Sequence, residues 1–261
     1  MKYSEIFLEH EKYSCQKWSS YPCIYDKIFS ETIKLNKPIN FLEIGVCNGG
    51  SLQIWKEYLP AGSQIHGIDI NPKCSELKFS ENIHFHLGDA TDKIFIDNLF
   101  KDIVFDIILD DGSHINKHVV KSFELLFPKL SPGGKYIVED LHTSYYRKYG
   151  GGLLRSTSTM EFFKMLCDSL NYDYFSGKTL FKRIRDLLIK KRMKLLKDYS
   201  PLISSIGFYN AIIVIEKYFD RKDFIFSDIF CGETSFVLPR STDINKTRKE
   251  IKSAEKLYTE S

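Results

Sequence analysis

Two short acidic runs carry the residues best suited to chemistry in this 261-residue chain: Asp110-Asp111-Gly112-Ser113-His114 and Glu139-Asp140-Leu141-His142. Each follows an apolar run, Phe105 to Leu109 and Lys135 to Val138, that reads as a buried strand. Four carboxylates at adjacent strand ends repel one another unless they are protonated or bridged by a cation. Hard oxygen donors favour Mg²⁺, with Mn²⁺ or Ca²⁺ as alternatives. A divalent cation beside a base suits activation of an alcohol, which is a poor nucleophile until its proton is removed. His114, three residues after Asp111, is the candidate catalytic base, histidine being the side chain that ordinarily titrates nearest neutrality.

A second group of residues points to a cofactor. The run Phe41-Leu42-Glu43-Ile44 leads into Gly45-x-x-x-Gly49-Gly50, and glycines there let backbone approach a ligand where a Cβ would collide. The dinucleotide fingerprint fails, because its second glycine would fall on Cys47. Glu43 would repel a diphosphate and attract an ammonium group, so a cationic amino-acid cofactor suits the turn better. The next apolar run, Gln64 to Ile70, holds Asp69 where an acid can accept hydrogen bonds from both ribose hydroxyls. The run Ile83 to Leu87 is followed by Gly88-Asp89-Ala90, where a carboxylate could accept an adenine amino group.

Taken in order, these features resemble the class I S-adenosylmethionine-dependent methyltransferases over roughly residues 40 to 140. The resemblance implies S-adenosylmethionine held by Glu43, Gly45, Gly49, Ser51, Asp69, Asp89, Ala90 and Asp110. The longer motifs D-D-G-S-H and E-D-x-H-T-S-Y, with Ser51-Leu52-x-x-Trp55 and Lys17-Trp18-Ser19-Ser20, resemble the metal-dependent macrocin and mycinamicin type of sugar O-methyltransferase. That likeness implies Asp111, Glu139 and Asp140 as Mg²⁺ ligands and His114 as general base. Strand alternation alone does not choose between Asp110 and Asp111. The implied activity is methyl transfer to a sugar hydroxyl in a nucleotide-sugar, surface-polysaccharide or glycosylated-metabolite pathway. The alternatives are a metal-independent N-methyltransferase acting on a small amine and a non-catalytic binding module of the same fold. Departures fall on the acceptor side, where this chain has a short N-terminal segment and a basic insertion. His142 either contacts substrate or packs in its loop, and Tyr145 and Tyr146 either wall an acceptor pocket or pack.

The elements that must position these residues alternate. Short apolar runs are separated by helical patterns such as Leu52, Trp55, Tyr58 and Leu59, or Val119, Phe123, Leu126 and Phe127. That rhythm predicts an α/β, Rossmann-like doubly wound, mostly parallel seven-stranded sheet with helical additions, its ligands at the carboxyl ends of the strands. Ser131-Pro132-Gly133-Gly134 is expected as the turn before the fifth strand. Ile206 to Ile215 and Phe224 to Phe230 are expected to finish the sheet as a C-terminal antiparallel hairpin. One domain is expected over 1–261. Within it, 1–36 is an N-terminal helical lid or packing layer, 37–140 the cofactor core, 145–200 an acceptor-side helical insertion and 203–235 the final strands.

Apolar residues at 43% and charged residues at 27% exclude disorder and fibrous structure. A net charge of +3 gives no whole-chain case for nucleic-acid binding. Charge is concentrated in KRIRDLLIKKRMKLLK, residues 182–197, with eight basic residues against Asp186. Ile184, Leu187, Leu188, Leu195 and Leu196 there follow helical spacing, giving an amphipathic helix whose cationic face is solvated, draws an anionic acceptor or makes peripheral membrane contact. Six scattered cysteines without a C-x-x-C pair, no leader-like N-terminus and no membrane-length apolar run fit a cytoplasmic protein with reduced thiols. The expected partner is a small-molecule acceptor, a sugar or nucleotide-sugar, and a homo-oligomer is compatible with the sequence.

Overall fold

The computed structural model describes residues 2–175 and 187–219, together with 249, 251, 252 and 255. Seven strands form one sheet: β1 (Asn40–Ile44), β2 (Gln64–Asp69), β3 (Ile83–Leu87), β4 (Phe105–Asp110), β5 (Leu130–Val138), β6 (Ile203–Phe208) and β7 (Ile213–Lys217). Their order is β3-β2-β1-β4-β5-β7-β6. The pairings from β3 through β5 are parallel, and β7 is antiparallel to both β5 and β6. Chain order reverses between β1 and β4, the switch point at which a crevice opens beyond the strand ends.

Because side chains alternate across a strand, each central strand feeds two cores. Leu42, Ile44, Ile108, Tyr136 and Val138 face one layer, with Ile96, Val119, Phe123 and Phe163 from the helices Lys93–Leu99, Asn116–Leu126 and Thr159–Leu166. Phe41, Ile65, Ile107, Leu109 and Ile137 face the other, with Tyr3, Tyr25, Ile28, Phe29, Leu52 and Trp55. This second layer is built by the helices Tyr3–Glu9, Tyr21–Ile28 and Gly50–Tyr58. Trp55 is its hub: the rings of Tyr3, Tyr25, Phe29 and Phe41 lie 4.7, 5.0, 5.0 and 5.0 Å from its own. The aromatic N-terminal segment therefore packs on the sheet.

Two expectations need correction. Both arms of the hairpin lie within 203–217, and Ile206 and Ile215, read as the two ends of one strand, are cross-strand partners. The turn between them is closed by the Tyr209 N–H donating to the Ile212 carbonyl, with Ala211 at φ 59°. Phe224 to Phe230 lies outside the described residues. Likewise Ser131 to Gly134 sits inside β5, where pairing with β4 jumps from Phe105↔Leu130 to Ile107↔Lys135. The Ser131 hydroxyl donates to Asp106 there at 2.9 Å, so the turn residues make a bulge in the strand.

The basic segment is described from Leu187, in the helix Leu187–Tyr199. Met193, Leu196 and Tyr199 are buried and Lys190, Lys191, Arg192, Lys194 and Lys197 exposed, so this part has one apolar and one cationic face. Among the described residues no helix is long and apolar enough to cross a membrane. Cys15, Cys23, Cys47, Cys74 and Cys167 are free thiols. Trp55→Ala is expected to cost about 3–5 kcal/mol, the usual range for emptying a large aromatic site in a core, measurable as a lowered urea midpoint with an unchanged slope.

Candidate functional site

Beyond β1 the backbone turns at once. Gly45 has φ +95°, and a Cβ there would lie 2.2 Å from the Asp111 carbonyl oxygen. The close approach of the β4 end thus requires glycine here. The turn is held by Asp69 at the end of β2, whose Oδ2 accepts the Val46 and Cys47 N–H groups, each at 2.9 Å. Asp69 Oδ1 accepts the Asn71 N–H at 2.8 Å. A carboxylate offers about four lone-pair positions, so Asp69 can take one more donor. Asp89, after β3, uses Oδ1 for both the Thr91 N–H and hydroxyl.

Two adjoining cavities open along these strand ends. One, of about 350 Å³, is lined by residues that include Asp69, Asp89, Ala90, Asp110 and His118. The other, of about 620 Å³, is lined by residues that include Trp18, Val46, Ser51, His114, Glu139 and Asp140. Gly45, Cys47, Asp111 and Gly112 border both. Of the residues read as cofactor-binding, Glu43 and Gly49 line neither cavity. Glu43 is fully buried behind Ser51, whose hydroxyl donates to its Oε1 at 2.6 Å. Its carboxyl is pushed up to about 7 by burial, against the pull of the Lys17 ammonium 3.8 Å away. The ammonium that Glu43 faces belongs to the chain itself.

The two acidic pairs separate. Asp110 turns toward the smaller cavity, accepting the Gly112 N–H and the Tyr136 hydroxyl at 3.3 Å each. Burial pushes its carboxyl up to about 7. Asp111, His114 and Asp140 come together, each with a ligand atom within 4.8 Å of the others. His114 Nε2 lies 3.9 Å from Asp111 Oδ1 and 3.6 Å from Asp140 Oδ2. His114 and Asp140 both hold left-handed backbone, φ 55° and 54°, conformations that cost non-glycine residues energy and that concentrate at functional sites. The Thr143 hydroxyl secures the turn by donating to the Asp140 carbonyl at 2.7 Å.

Glu139 does not join that trio. Its carboxylate accepts from Lys17 Nζ, at 2.8 and 3.0 Å to its two oxygens, and from the buried Tyr25 hydroxyl. Lys17 Nζ also reaches Asp111 Oδ2 at 2.6 Å, and its side chain is 2% exposed. Burial drives the Glu139 carboxyl upward, helped by Asp111 and opposed by Lys17. The surrounding carboxylates more than offset burial at Lys17, so its ammonium stays protonated well past its ordinary range. Tyr21 and Trp18 complete the arrangement: the tyrosine hydroxyl and indole Nε1 donate to Asp140 Oδ1 at 2.6 and 3.0 Å. The roles of Lys17, Trp18, Tyr21 and Tyr25 were missed in the sequence. The one signal was the need of clustered carboxylates for a cation, which does not say that a lysine supplies part of it.

Residues 42–141 match the family model described as a methyltransferase domain. The matched stretch runs from β1 to the residues just after β5 and so spans the switch point of the Rossmann-like sheet. It is 36% identical over 178 residues to the 8-demethyl-8-alpha-L-rhamnosyl tetracenomycin-C 2'-O-methyltransferase of Streptomyces olivaceus, covering 64% of this chain and 46% of that protein. It is 42% identical over 137 residues to the mycinamicin VI 2''-O-methyltransferase of Micromonospora griseorubida, covering 49% and 33%. Among solved structures it is similar to the MycE methyltransferase of mycinamycin biosynthesis in complex with Mg, SAH and mycinamycin VI, with TM-score 0.64, 30% identity, and 83% and 54% coverage. The chain spans less than half the length of these two curated relatives.

Two outcomes are expected from this geometry. Lys17→Met strands buried carboxylates, at a cost of about 3–5 kcal/mol near pH 8. Those groups then bind protons more tightly in the folded than in the unfolded state, so the deficit shrinks toward pH 5; denaturation at both pH values checks this. In the wild type, Asp110 retains its proton up to about pH 7, whereas an unfolded aspartate loses it near pH 4. Its contribution to stability is present at low pH and lost as pH rises through that window. Asp110→Asn is expected to flatten the fall in melting temperature between pH 5 and pH 7.5.

Proposed function

We propose that this chain is an S-adenosylmethionine-dependent, divalent-cation-assisted O-methyltransferase acting on a sugar hydroxyl, with Mg²⁺ as the cation. The observation that carries the reading is the Asp111–His114–Asp140 cluster beside a cofactor-sized crevice at the switch point. Two further facts support it: the curated relatives are O-methyltransferases, one of them of a rhamnosyl tetracenomycin, and MycE is in complex with Mg and SAH. The glycosylated molecule that bears the hydroxyl is proposed as a nucleotide-sugar, a surface polysaccharide or a glycosylated metabolite. Within this reading, residues 1–36 and 145–200 flank the acceptor side of a single domain.

The residues fit both groups by their chemistry. Asp69 and Asp89 can accept from ribose and adenine donors, with Ala90 and Asp110 lining the same smaller cavity, while Ser51 lines the larger one and Gly45 borders both. Asp111 and Asp140 are hard oxygen donors suited to Mg²⁺. Glu139 serves there only if it gives up contacts with Lys17. The bound groups supply an electrophilic methyl carried on a sulfonium and a Lewis acid that lowers the pKa of the acceptor hydroxyl. His114 Nε2, 3.9 Å from Asp111 Oδ1 and 3.6 Å from Asp140 Oδ2, would take the hydroxyl proton. Tyr21, Trp18 and Thr143 hold Asp140 in place, which would fix one of the groups that orient the acceptor oxygen.

The test separates base from ligand. His114→Ala is expected to lower kcat by about 10²–10⁴-fold, the usual worth of a positioned general base, while Mg²⁺ affinity measured calorimetrically changes less than threefold. Methyl transfer is expected to stop in chelator and to return with Mg²⁺. Full activity in chelator, together with tolerance of Asp111→Asn, would instead support transfer to an amine.

A further inference from the structure

Trp18 is one of the chain's two tryptophans, and it is 58% exposed, whereas Trp55 is fully buried. A large aromatic ring left in water needs a reason when its polar atom is fixed inward, and here indole Nε1 is committed to Asp140 Oδ1 at 3.0 Å. The ring is further braced by His142, edge-to-face with centroids 5.4 Å apart, and His142 in turn by Tyr146 at 5.9 Å. Trp18 lines the larger cavity together with His114 and Asp140. Tyr145 and Tyr146, 44% and 49% exposed, follow in the same loop as His142.

We infer that Trp18 is the acceptor platform: its indole stacks on the C–H face of the sugar ring whose hydroxyl is presented to His114. The inference rests on the proposed function and names the subsite within it. The chemistry is complementary. A pyranose offers ring C–H bonds made electropositive by neighbouring oxygens, and an indole face carries the negative side of the aromatic quadrupole. The geometry also fixes register. A hydroxyl within reach of His114 Nε2 and Asp140 Oδ2 would sit beside the carboxylate whose other oxygen accepts from the indole. Because Nε1 is anchored to Asp140, the platform is held rigid, and little side-chain entropy is lost when the sugar docks. His142 acts as the brace behind the platform, which resolves the choice left open for it between substrate contact and packing.

Trp18→Phe keeps a flat ring and loses the donor to Asp140, and Trp18→Ala loses both. The probe is methyl α-L-rhamnopyranoside, a simple glycoside of the sugar class borne by one relative's substrate. It is titrated in the presence of S-adenosylhomocysteine and Mg²⁺, with binding followed by saturation-transfer NMR and by tryptophan fluorescence. Wild type is expected to bind the probe with a change in emission from the exposed indole. Trp18→Phe is expected to bind within about threefold of wild type, and Trp18→Ala about five- to tenfold more weakly, the scale of one aromatic stacking contact. S-adenosylhomocysteine should raise the melting temperature of all three proteins equally, showing that the variants are folded. Equal binding by wild type and Trp18→Ala overturns the platform and leaves the proposed function standing. Equal losses in Trp18→Phe and Trp18→Ala also overturn it, assigning Trp18 to holding Asp140. Failure of wild type to bind the glycoside overturns the platform and the sugar reading together.

Discussion

The buried ammonium of Lys17 is the interaction on which the site depends. Strand ends that gather Glu43, Asp111 and Glu139 bring negative charges into a region shielded from water, where repulsion is poorly screened. Charge of this kind persists only if it is paired and hydrogen-bonded. Lys17 supplies that pairing with contacts at 2.6 Å to Asp111 and 2.8 Å to Glu139. Since it comes from the irregular stretch between the first two helices, the same contacts fasten the N-terminal segment across the ends of β1, β4 and β5.

That fastening has structural support. The carbonyls of Tyr13 and Ser14 lie so close to Gly50 that a Cβ there would be 2.1 and 2.6 Å from them. Tyr13 adds its N–H to Gln53 Oε1 and accepts from Lys78 through its hydroxyl. Helix Gly50–Tyr58 thus presents its start to the segment and Trp55 to the aromatic layer beneath. Stability and site geometry are linked here: loosening the Trp55 core frees the segment, and freeing the segment removes Lys17, Trp18, Tyr21 and Tyr25 from the carboxylates they hold.

How much could be read from the residues follows from how local each signal was. The parallel core was legible because β1, β2, β3 and β4 are short apolar runs separated by helical patterns, and Asp111, His114 and Asp140 because they follow such runs directly. Glu43 was misplaced in environment because its acidity suggested a cofactor contact, whereas its place in β1 buries it behind Ser51. The final hairpin was misdrawn because Tyr209-Asn210-Ala211 carries neither glycine nor proline, so one apolar stretch concealed two strands and a turn. Lys17 stood out only within the motif Lys17-Trp18-Ser19-Ser20, which gave no hint of the carboxylates it would meet. It meets Asp111 across 94 residues of sequence, and only the docking of the N-terminal helices brings them together.

The division of labour that results has a chemical logic. On the proposed reading, the sheet supplies the groups that methyl transfer would require regardless of acceptor: acids for the cofactor, oxygen donors for a cation and an imidazole for the proton. The N-terminal segment and the 141–149 loop supply the aromatic groups beside those strand ends, Trp18 braced by His142 and the exposed Tyr145 and Tyr146. Asp140 is where the two halves meet, since one oxygen faces His114 while the other accepts from Trp18 and Tyr21. On the same reading, an acceptor ring pressing on Trp18 would act on the carboxylate that helps hold the cation. Recognition and activation would then be coupled through that one side chain, so a change in the segment that alters acceptor contacts also bears on the carboxylates at the strand ends.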